Sequence, residues 1–185
     1  MKKWILRLTI TPLLLLVILA GLVLSPSLMY ANKTEYRSFT IYHDTPIENV
    51  FTQRLDETET ILKSSELYDP AFKIYICLND NSLYPQIIHA IRGDAFAFGF
   101  YDEVVMLGNS NHAENYTELN EYKWNLSELM AHEIVHCLQF NKYGLLASNP
   151  VANYPEWKWE GYPEYIARKN SSADMKKNID RLIET

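Results

Sequence analysis

Short runs rich in aromatic and β-branched residues alternate along the chain with longer stretches in which apolar residues recur at helical spacing. Four of the short runs are predicted to be β-strands, over residues 38–43, 72–78, 95–100 and 103–107. The polar stretch 31–36 before them is predicted to be a short linker, and the asparagine-containing stretch 108–122 after them a loop.

Helical spacing predicts helices over residues 45–65, 83–91 and 126–144, with two further helices within residues 157–169 and 173–183. Thr45 is predicted to cap the first helix and Pro46 to occupy its first position. This order of strands and helices predicts an α+β fold, in which a small mixed sheet packs on helices. The folded domain is predicted to cover residues 36–185.

The helix predicted over residues 126–144 has apolar residues on most of its surface, so we expect it to be buried on most sides. Asn125 suits its N-cap and Gly144 its C-terminal end. Two histidines lie within this helix, at His132 and His136. Burying them is costly unless each finds a hydrogen-bond partner or a metal ion.

Residues 132–136 read His-Glu-Ile-Val-His and match the H-E-x-x-H pattern. Residues four apart on a helix share a face, so His132 and His136 can both direct a ring nitrogen at one metal ion. Glu133 lies on the flank of that face, where its carboxylate can act as a general base without binding the metal. The alternative is a metal-free helix whose histidines bond to backbone carbonyl groups.

A catalytic zinc ion normally takes three protein ligands and keeps one position for water, so two histidines are not enough. Glu160 and Glu164 follow downstream, one helical turn apart. One of them could bind the metal, and the other could accept a hydrogen bond from the far ring nitrogen of a histidine ligand.

Together the two segments resemble gluzincin metallopeptidases, zinc enzymes of the broad peptidase-MA-like kind. Residues 132–136 carry the first signature, and residues 157–165, Trp-Lys-Trp-Glu-Gly-Tyr-Pro-Glu-Tyr, resemble a W-x-x-E-G-x-A-E-Y segment. The resemblance implies a zincin-like fold, in which an extended peptide substrate lies beside an edge of the sheet. Residues 95–107 are the candidate for that edge. It also implies the following roles: Zn²⁺ bound by His132, His136 and Glu160, Glu133 as base, and Glu164 as a hydrogen-bond partner of a ligand.

Pro163 departs from the family pattern, which has alanine at this place. Proline is compatible with a helix that begins near Trp159 or Glu160, because it then lies in the first turn. A helix that begins at Pro155 should instead be kinked by Pro163.

The short C-terminal part is a second departure, because only 25 residues follow Glu160. Gluzincins usually have a tyrosine or histidine well downstream that stabilises the oxyanion. Nothing in the sequence selects among the possible substitutes, which are Tyr154, Tyr162, Tyr165 and His112.

Residues 1–30 form a separate segment. Three basic residues precede an apolar run over residues 8–24, which predicts a signal peptide or a single membrane anchor, with the anchor slightly favoured. By the positive-inside rule, the rest of the chain then lies outside the cytoplasm, anchored to the membrane or secreted.

The composition, 48% hydrophobic in 185 residues, suits a globular domain with a core. A net charge of −6 gives no reason to expect a nucleic-acid partner. Cys77 and Cys137 could form one disulfide in an exported protein, or could be two small buried hydrophobic residues.

The predicted function is zinc-dependent hydrolysis of peptide bonds, with a peptide or protein as substrate. The alternative is a catalytically inactive zincin-like protein that serves in binding or as a scaffold. A structural domain without any metal is a further alternative.

Overall fold

A computed structural model of the chain describes residues 25–169, together with residues 11, 12, 14 and 21. The predicted leader over residues 1–30 therefore lies mostly outside the described residues, and the helix predicted over residues 173–183 lies wholly outside them. A search of the described residues finds no helix with the length and apolar character needed to cross a membrane.

The larger sheet has five strands: β1 (Asn32–Tyr36), β2 (Phe39–His43), β3 (Ile74–Cys77), β4 (Ala97–Phe100) and β5 (Glu103–Met106). Their order in space is β1-β2-β3-β5-β4. Strands β2, β3 and β5 run parallel, while β1 and β4 form the two edges and run antiparallel to their neighbours. This mixed sheet agrees with the predicted α+β class.

Strand β1 corrects the prediction of a linker over residues 31–36. Its side chains are mostly exposed, and Lys33 pairs with Glu35 at 2.8 Å on its surface. Charged residues are common on edge strands because they discourage pairing with other chains. The same charges removed the hydrophobic alternation by which the strand could have been predicted.

A second sheet corrects the prediction of a loop over residues 108–122. Three antiparallel strands form it: β6 (Asn109–Asn111), β7 (Tyr116–Leu119) and β8 (Tyr122–Asn125). Asn120 and Glu121 form the turn between β7 and β8, with φ values of 51° and 69°. Tight hairpin turns with two positive φ angles usually contain glycine. Because this turn has asparagine and glutamate in place of glycine, the sequence did not predict the hairpin.

Residues 25–169 also form four α-helices: α1 (Asn49–Leu62), α2 (Leu83–Arg92), α3 (Leu126–Tyr143) and α4 (Glu156–Arg168). Two short 3₁₀ helices, Pro26–Leu28 and Leu145–Ala147, lie in the connecting segments. The predicted start of α1 at Pro46, capped by Thr45, is wrong. The N–H and hydroxyl of Thr45 both donate to Asp80 Oδ2, at 2.8 and 3.0 Å. Thr45 therefore anchors the chain before the helix and does not cap it.

Helix α3 lies at the centre of the molecule, where it packs against α1, α4 and strand β4. Every residue from position 129 to 140 is buried, as expected for a helix that is apolar on most sides. The opposite face of the sheet is covered by α2. Cys137 lies in the core on the α3 side and Cys77 in the core on the α2 side, and both are free thiols. The disulfide alternative is therefore not realised.

Candidate metal centre

Helix α3 positions the two histidines as its sequence predicts. Asn125 Oδ1 accepts a hydrogen bond from the N–H of Glu128 at 3.0 Å, so the predicted N-cap is confirmed. Gly144 ends the helix with a φ of +75°, a value that glycine adopts without strain. His132 and His136 lie one turn apart between these two ends, and both are buried.

Glu160, on α4, faces both histidines. Its Oε2 atom lies 3.1 Å from His132 Nε2 and 3.0 Å from His136 Nε2. Candidate ligand atoms of all three residues lie within 4.8 Å of one another. Ligands around a tetrahedral zinc ion, at about 2 Å from it, stand about 3.3 Å apart. Small changes in the side-chain torsion angles of these three residues would therefore make room for a metal ion between the three ligand atoms.

The far nitrogens of both imidazole rings face side-chain acceptors. His136 Nδ1 lies 3.0 Å from Gln139 Oε1, and His132 Nδ1 lies 3.5 Å from Glu164 Oε2. A proton held at each Nδ1 leaves the Nε2 lone pair for a metal. Of the two downstream glutamates, Glu160 thus lies at the candidate ligand position and Glu164 behind His132. Backbone carbonyl groups are not the partners of these rings among the described residues.

Pro163 lies inside α4 and not in its first turn, because the helix already begins at Glu156. A proline has no N–H to donate to the carbonyl group one turn earlier, which is that of Trp159. Gln139 Nε2 donates to this carbonyl at 3.5 Å, while Gln139 Oε1 faces His136. The Trp159 carbonyl group, which Pro163 leaves without a partner inside α4, is therefore bonded by Gln139, the same side chain that faces the candidate ligand His136.

The pKa values at this site are shifted by burial and by the contacts between its carboxylates and imidazoles. Burial by itself lowers the pKa of His132, but hydrogen bonds to Glu160 and Glu164 and the charge of Glu133 raise it to about 9. Burial also acts to raise the pKa of Glu160, but His132 and His136 hold it well below its usual range. Both shifts show that negative charge at this point attracts positive charge, which a metal cation also supplies.

Two tryptophan rings pack against the two histidines, and one arginine contacts both a tryptophan and Glu164. Trp159 stacks on His136, with ring centroids 5.5 Å apart, and Trp124 meets His132 edge-on at the same distance. The guanidinium of Arg168 lies 4.3 Å from the centre of the Trp124 ring, and its Nε lies 3.2 Å from Glu164 Oε1. These contacts restrict the rotation of both imidazoles, which favours a fixed ligand geometry.

Glu133 is tied to the edge strand of the large sheet. Its Oε2 accepts a hydrogen bond from the backbone N–H of Gly99 at 2.7 Å. The two elements are very close here, because a Cβ placed on Gly99 would stand 2.2 Å from the Glu133 carbonyl oxygen. Gly99 thus allows β4 to approach α3 and fixes one oxygen of the carboxylate.

Beside these residues lies an open cavity of about 570 Å³, called the cleft below. Its lining includes Glu133, His136 and Glu160, together with the β4 residues. Space for a substrate therefore adjoins both the candidate metal ligands and the candidate base.

None of the four predicted substitutes for the oxyanion residue lines the cleft within the described part of the chain. The hydroxyl of Tyr162 is 2.8 Å from Ser65 Oγ, which turns it towards α1. His112 packs on Phe51 at 4.6 Å. Tyr165 is half exposed, and Tyr154 lies below the Lys158 ammonium group.

Three residues of the site were not selected from the sequence: Gly99, Gln139 and Arg92. A glycine inside a predicted strand is a known signal of close backbone approach, so Gly99 could have been noticed. Gln139 lies three residues after His136 on the same helix, a spacing at which side chains meet. Arg92 also lines the cleft, and no local pattern places it there.

Comparisons of the chain with family models, with curated proteins and with solved structures find no match. The resemblance to gluzincins thus depends on the two segments that carry it. His132, His136 and Glu160, the candidate ligands from those segments, meet at one point.

Proposed function

We propose that this protein is a zinc-dependent peptide hydrolase of the gluzincin kind, with a zincin-like fold. One observation carries the proposal. One carboxylate oxygen from α4 lies within 3.1 Å of an imidazole nitrogen of each of two histidines from α3, at the wall of an open cleft. Two histidines and one glutamate are a donor set that suits catalytic zinc, with a position left for water or substrate.

His132, His136 and Glu160 would hold the zinc ion, which would supply a Lewis acid for polarising a carbonyl group and for making a water molecule more acidic. Gln139 and Glu164 keep the two imidazoles in the tautomer that leaves Nε2 unprotonated.

Glu133 supplies the proton transfers. The N–H of Gly99 holds its Oε2, which leaves Oε1 for a water molecule in the cleft. The carboxylate takes a proton from that water as the water attacks the peptide carbonyl, and then gives the proton to the departing amine. This exchange restores the carboxylate after each turnover.

The free edge of β4 supports an extended peptide as the substrate. The Leu107 N–H donates to the Phe96 carbonyl group at 3.0 Å, so alternate residues of β4 bond to β5. The backbone groups of Ala97 and Gly99 consequently face away from the sheet. The Gly99 N–H is held by Glu133 Oε2, so Ala97 and the Gly99 carbonyl group are left for a peptide. A peptide that adds to this edge as a further strand passes directly over the cleft.

A location outside the cytoplasm, with residues 1–30 as membrane anchor or secretion signal, belongs to the same proposal. Its support is the basic start and the apolar run over residues 8–24. Fractionation of cells that express the full chain tests it, because anchored protein sediments with membranes and secreted protein is found in the medium.

The second candidate function is zinc binding without turnover, in a binding or scaffold protein. The observation in its favour is the position of Tyr162, whose hydroxyl bonds to Ser65 and not towards the cleft. Without a side chain that stabilises the oxyanion, only the metal is left to do so.

Metal analysis and peptide cleavage by the full chain test the proposal. We expect one zinc ion per chain and cleavage that stops with a chelator. Glu133→Gln should retain zinc but lower kcat by about 100- to 10,000-fold, because it removes the base and no ligand. Glu160→Ala should lose the zinc as well.

Glu118→Gln is the matched control, since it neutralises a partly exposed carboxylate on β7 that pairs with Lys123. It should change neither zinc content nor cleavage. A wild-type chain without zinc contradicts the proposal, and so does unchanged cleavage by Glu133→Gln. Stoichiometric zinc with no cleavage of any peptide in a broad library supports the binding or scaffold protein.

A further inference from the structure

Arg92 is the last residue of α2, and it lines the same cleft as Glu133, His136 and Glu160. Apart from His136, it is the only basic side chain among the described residues that form the wall. The remaining lining is apolar, amide or acidic, so Arg92 provides the fixed positive charge of the protein at this place.

The guanidinium of Arg92 is held over an aromatic ring. Its central carbon lies 4.0 Å from the centre of the Phe98 ring, on the strand that contributes Gly99. Gly93, with a φ of +83°, ends the helix directly after Arg92. A cation is favoured at this end of a helix and over the face of a ring, so the charge has a defined position.

Arg92 differs from the other arginines of the described chain in having no carboxylate partner. Arg37 pairs with Asp56, Arg54 with Glu57 and Arg168 with Glu164. No carboxylate oxygen of a described residue lies within 4 Å of Arg92.

The acid closest in sequence is already engaged elsewhere. Asp94 accepts hydrogen bonds from His89 at 2.8 Å and from Asn120 at 3.1 Å. A guanidinium has five donors in a planar fork that matches a carboxylate, and this fork is available at Arg92.

We propose that Arg92 binds a carboxylate of the substrate, so that the cleft selects peptides carrying a negative charge beside the edge strand β4. The carboxylate belongs either to the C-terminus of the peptide or to an aspartate or glutamate side chain. This inference rests on the proposed peptidase function and names the substrate class of the same cleft.

Charge complementarity supports a carboxylate over other groups. The wall already contains the two acids Glu133 and Glu160, which repel a third carboxylate placed next to them. Arg92 reaches the cleft from α2, on the other side of the edge strand from α3. A carboxylate of the substrate is therefore attracted to the end of the cleft at Arg92 and repelled from the end at Glu133 and Glu160.

The test uses one peptide sequence in four forms: with glutamate or glutamine, and with a free or an amidated C-terminus. Cleavage is measured as kcat/KM on the full wild-type chain, on Arg92→Gln and on Arg92→Lys. On wild type, kcat/KM for the peptide that carries the recognised carboxylate should exceed kcat/KM for the same peptide without it by about 10- to 100-fold. Arg92→Gln should bring this ratio close to one, and Arg92→Lys should retain part of it.

The four forms also identify which carboxylate is bound. Loss of the preference on amidation assigns the C-terminal carboxylate, and loss on replacing glutamate assigns the side chain. Lys142→Gln, which removes an exposed charge in the last turn of α3 away from the cleft wall, is the control and should keep the wild-type ratio.

Binding to the Glu133→Gln chain separates this inference from the proposed function. Fluorescence anisotropy of the labelled peptides needs no turnover, so it reports selection by Arg92 even when nothing is cleaved. Equal affinity for charged and neutral peptides, or a preference that persists in the Glu133→Gln, Arg92→Gln double variant, overturns the inference. Zinc content, measured on every variant, should remain unchanged.

Discussion

At Gly99, strand β4 lies very close to the backbone of helix α3. A methyl group there would stand 2.2 Å from the carbonyl oxygen of Glu133 and 2.9 Å from its carbonyl carbon. Both atoms are backbone, so they cannot move without shifting α3. We expect Gly99→Ala to lower the free energy of unfolding by about 1–3 kcal/mol, measured by urea denaturation.

Gly161→Ala is the matched control for this substitution. Apart from its chain neighbours and the nearby backbone of α4 itself, no atom lies within 4 Å of a Cβ placed on Gly161. The substitution should stabilise the fold by about 0.5–1 kcal/mol, since alanine has the higher helix propensity. If Gly99→Ala proves as stable as Gly161→Ala, then the close contact does not constrain Glu133.

Gln139 is the second residue whose role can be isolated. Replacement by leucine removes the acceptor that faces His136 Nδ1 at 3.0 Å, while the volume of the side chain stays similar. We expect the zinc affinity of Gln139→Leu to fall about 10- to 100-fold, as is typical when the partner of a ligand imidazole is lost. Competition with a chromophoric chelator measures the affinity directly.

Gln139→Glu separates orientation from packing, because the carboxylate keeps the acceptor that faces His136 while it loses the donor to Trp159 and adds a negative charge. Its zinc affinity should stay within a few-fold of that of wild type. ¹⁵N NMR of the His136 ring should show a changed tautomer in the leucine variant only. Wild-type affinity in Gln139→Leu argues that the ring is held by Trp159 stacking instead.

At the level of elements, the start of β5 places a carboxyl group under α2. The Tyr84 hydroxyl donates to Glu103 Oε1 at 2.5 Å, and burial raises the pKa of Glu103 from 4.5 to about 7. A raised pKa means that the folded state favours the neutral acid. The stabilisation is complete below about pH 4.5, and it is lost as the pH rises through 7.

We therefore expect Glu103→Gln to match wild type in stability near pH 4.5 and to exceed it at pH 8. The difference at pH 8 should be on the order of 1–3 kcal/mol, because glutamine cannot ionise in the buried position. Urea denaturation of both chains across this pH range gives the measurement. A difference that does not change with pH shows that the carboxyl group ionises freely in the folded protein.

The strands and helices could be predicted where the sequence of the element itself carries a hydrophobic pattern. Strands β2 to β5 and helix α3 were predicted within a few residues, because burial gives their sequences a regular hydrophobic pattern. Strand β1 and the hairpin β7–β8 were missed, since exposed strands have no such pattern. The start of α1 was placed too early because Asp80, far along the chain, takes both donors of Thr45.

At the level of the whole molecule, the candidate metal centre joins α3 to α4. A ligand that binds only the folded state stabilises it, by about 2.7 kcal/mol at a free concentration of 100 times Kd. We expect the midpoint of thermal unfolding to rise by roughly 5–10 °C with zinc at that excess. Glu160→Ala should abolish the rise, whereas Glu118→Gln should retain it.

Differential scanning fluorimetry of the full chain, with zinc and with a chelator, measures the effect. A rise that persists in Glu160→Ala places the zinc ion elsewhere on the protein. An unchanged midpoint in wild type, at zinc concentrations that saturate metal binding, shows that the unfolded chain binds zinc about as tightly as the folded protein does.

The sequence by itself determined everything at the site that depends on helical periodicity. His132 and His136 share a face of α3 because they are four residues apart, and Asn125 caps that helix because its side chain reaches the N–H of Glu128. Contacts of this kind are set by spacing along one element, so they follow from local sequence.

The resemblance already named Glu160 as the candidate ligand, but only the tertiary structure set its carboxylate beside both imidazoles, with Glu164 behind His132. Tertiary structure also brought Gly99 to Glu133 and Arg92 to the cleft, and turned Tyr162 away from it. The partners in these contacts belong to different elements, as do Gly99 and Glu133, which are 34 positions apart. Their meeting depends on how α4 and β4 pack against α3. Packing is set jointly by the whole core, and no spacing within a single segment determines it.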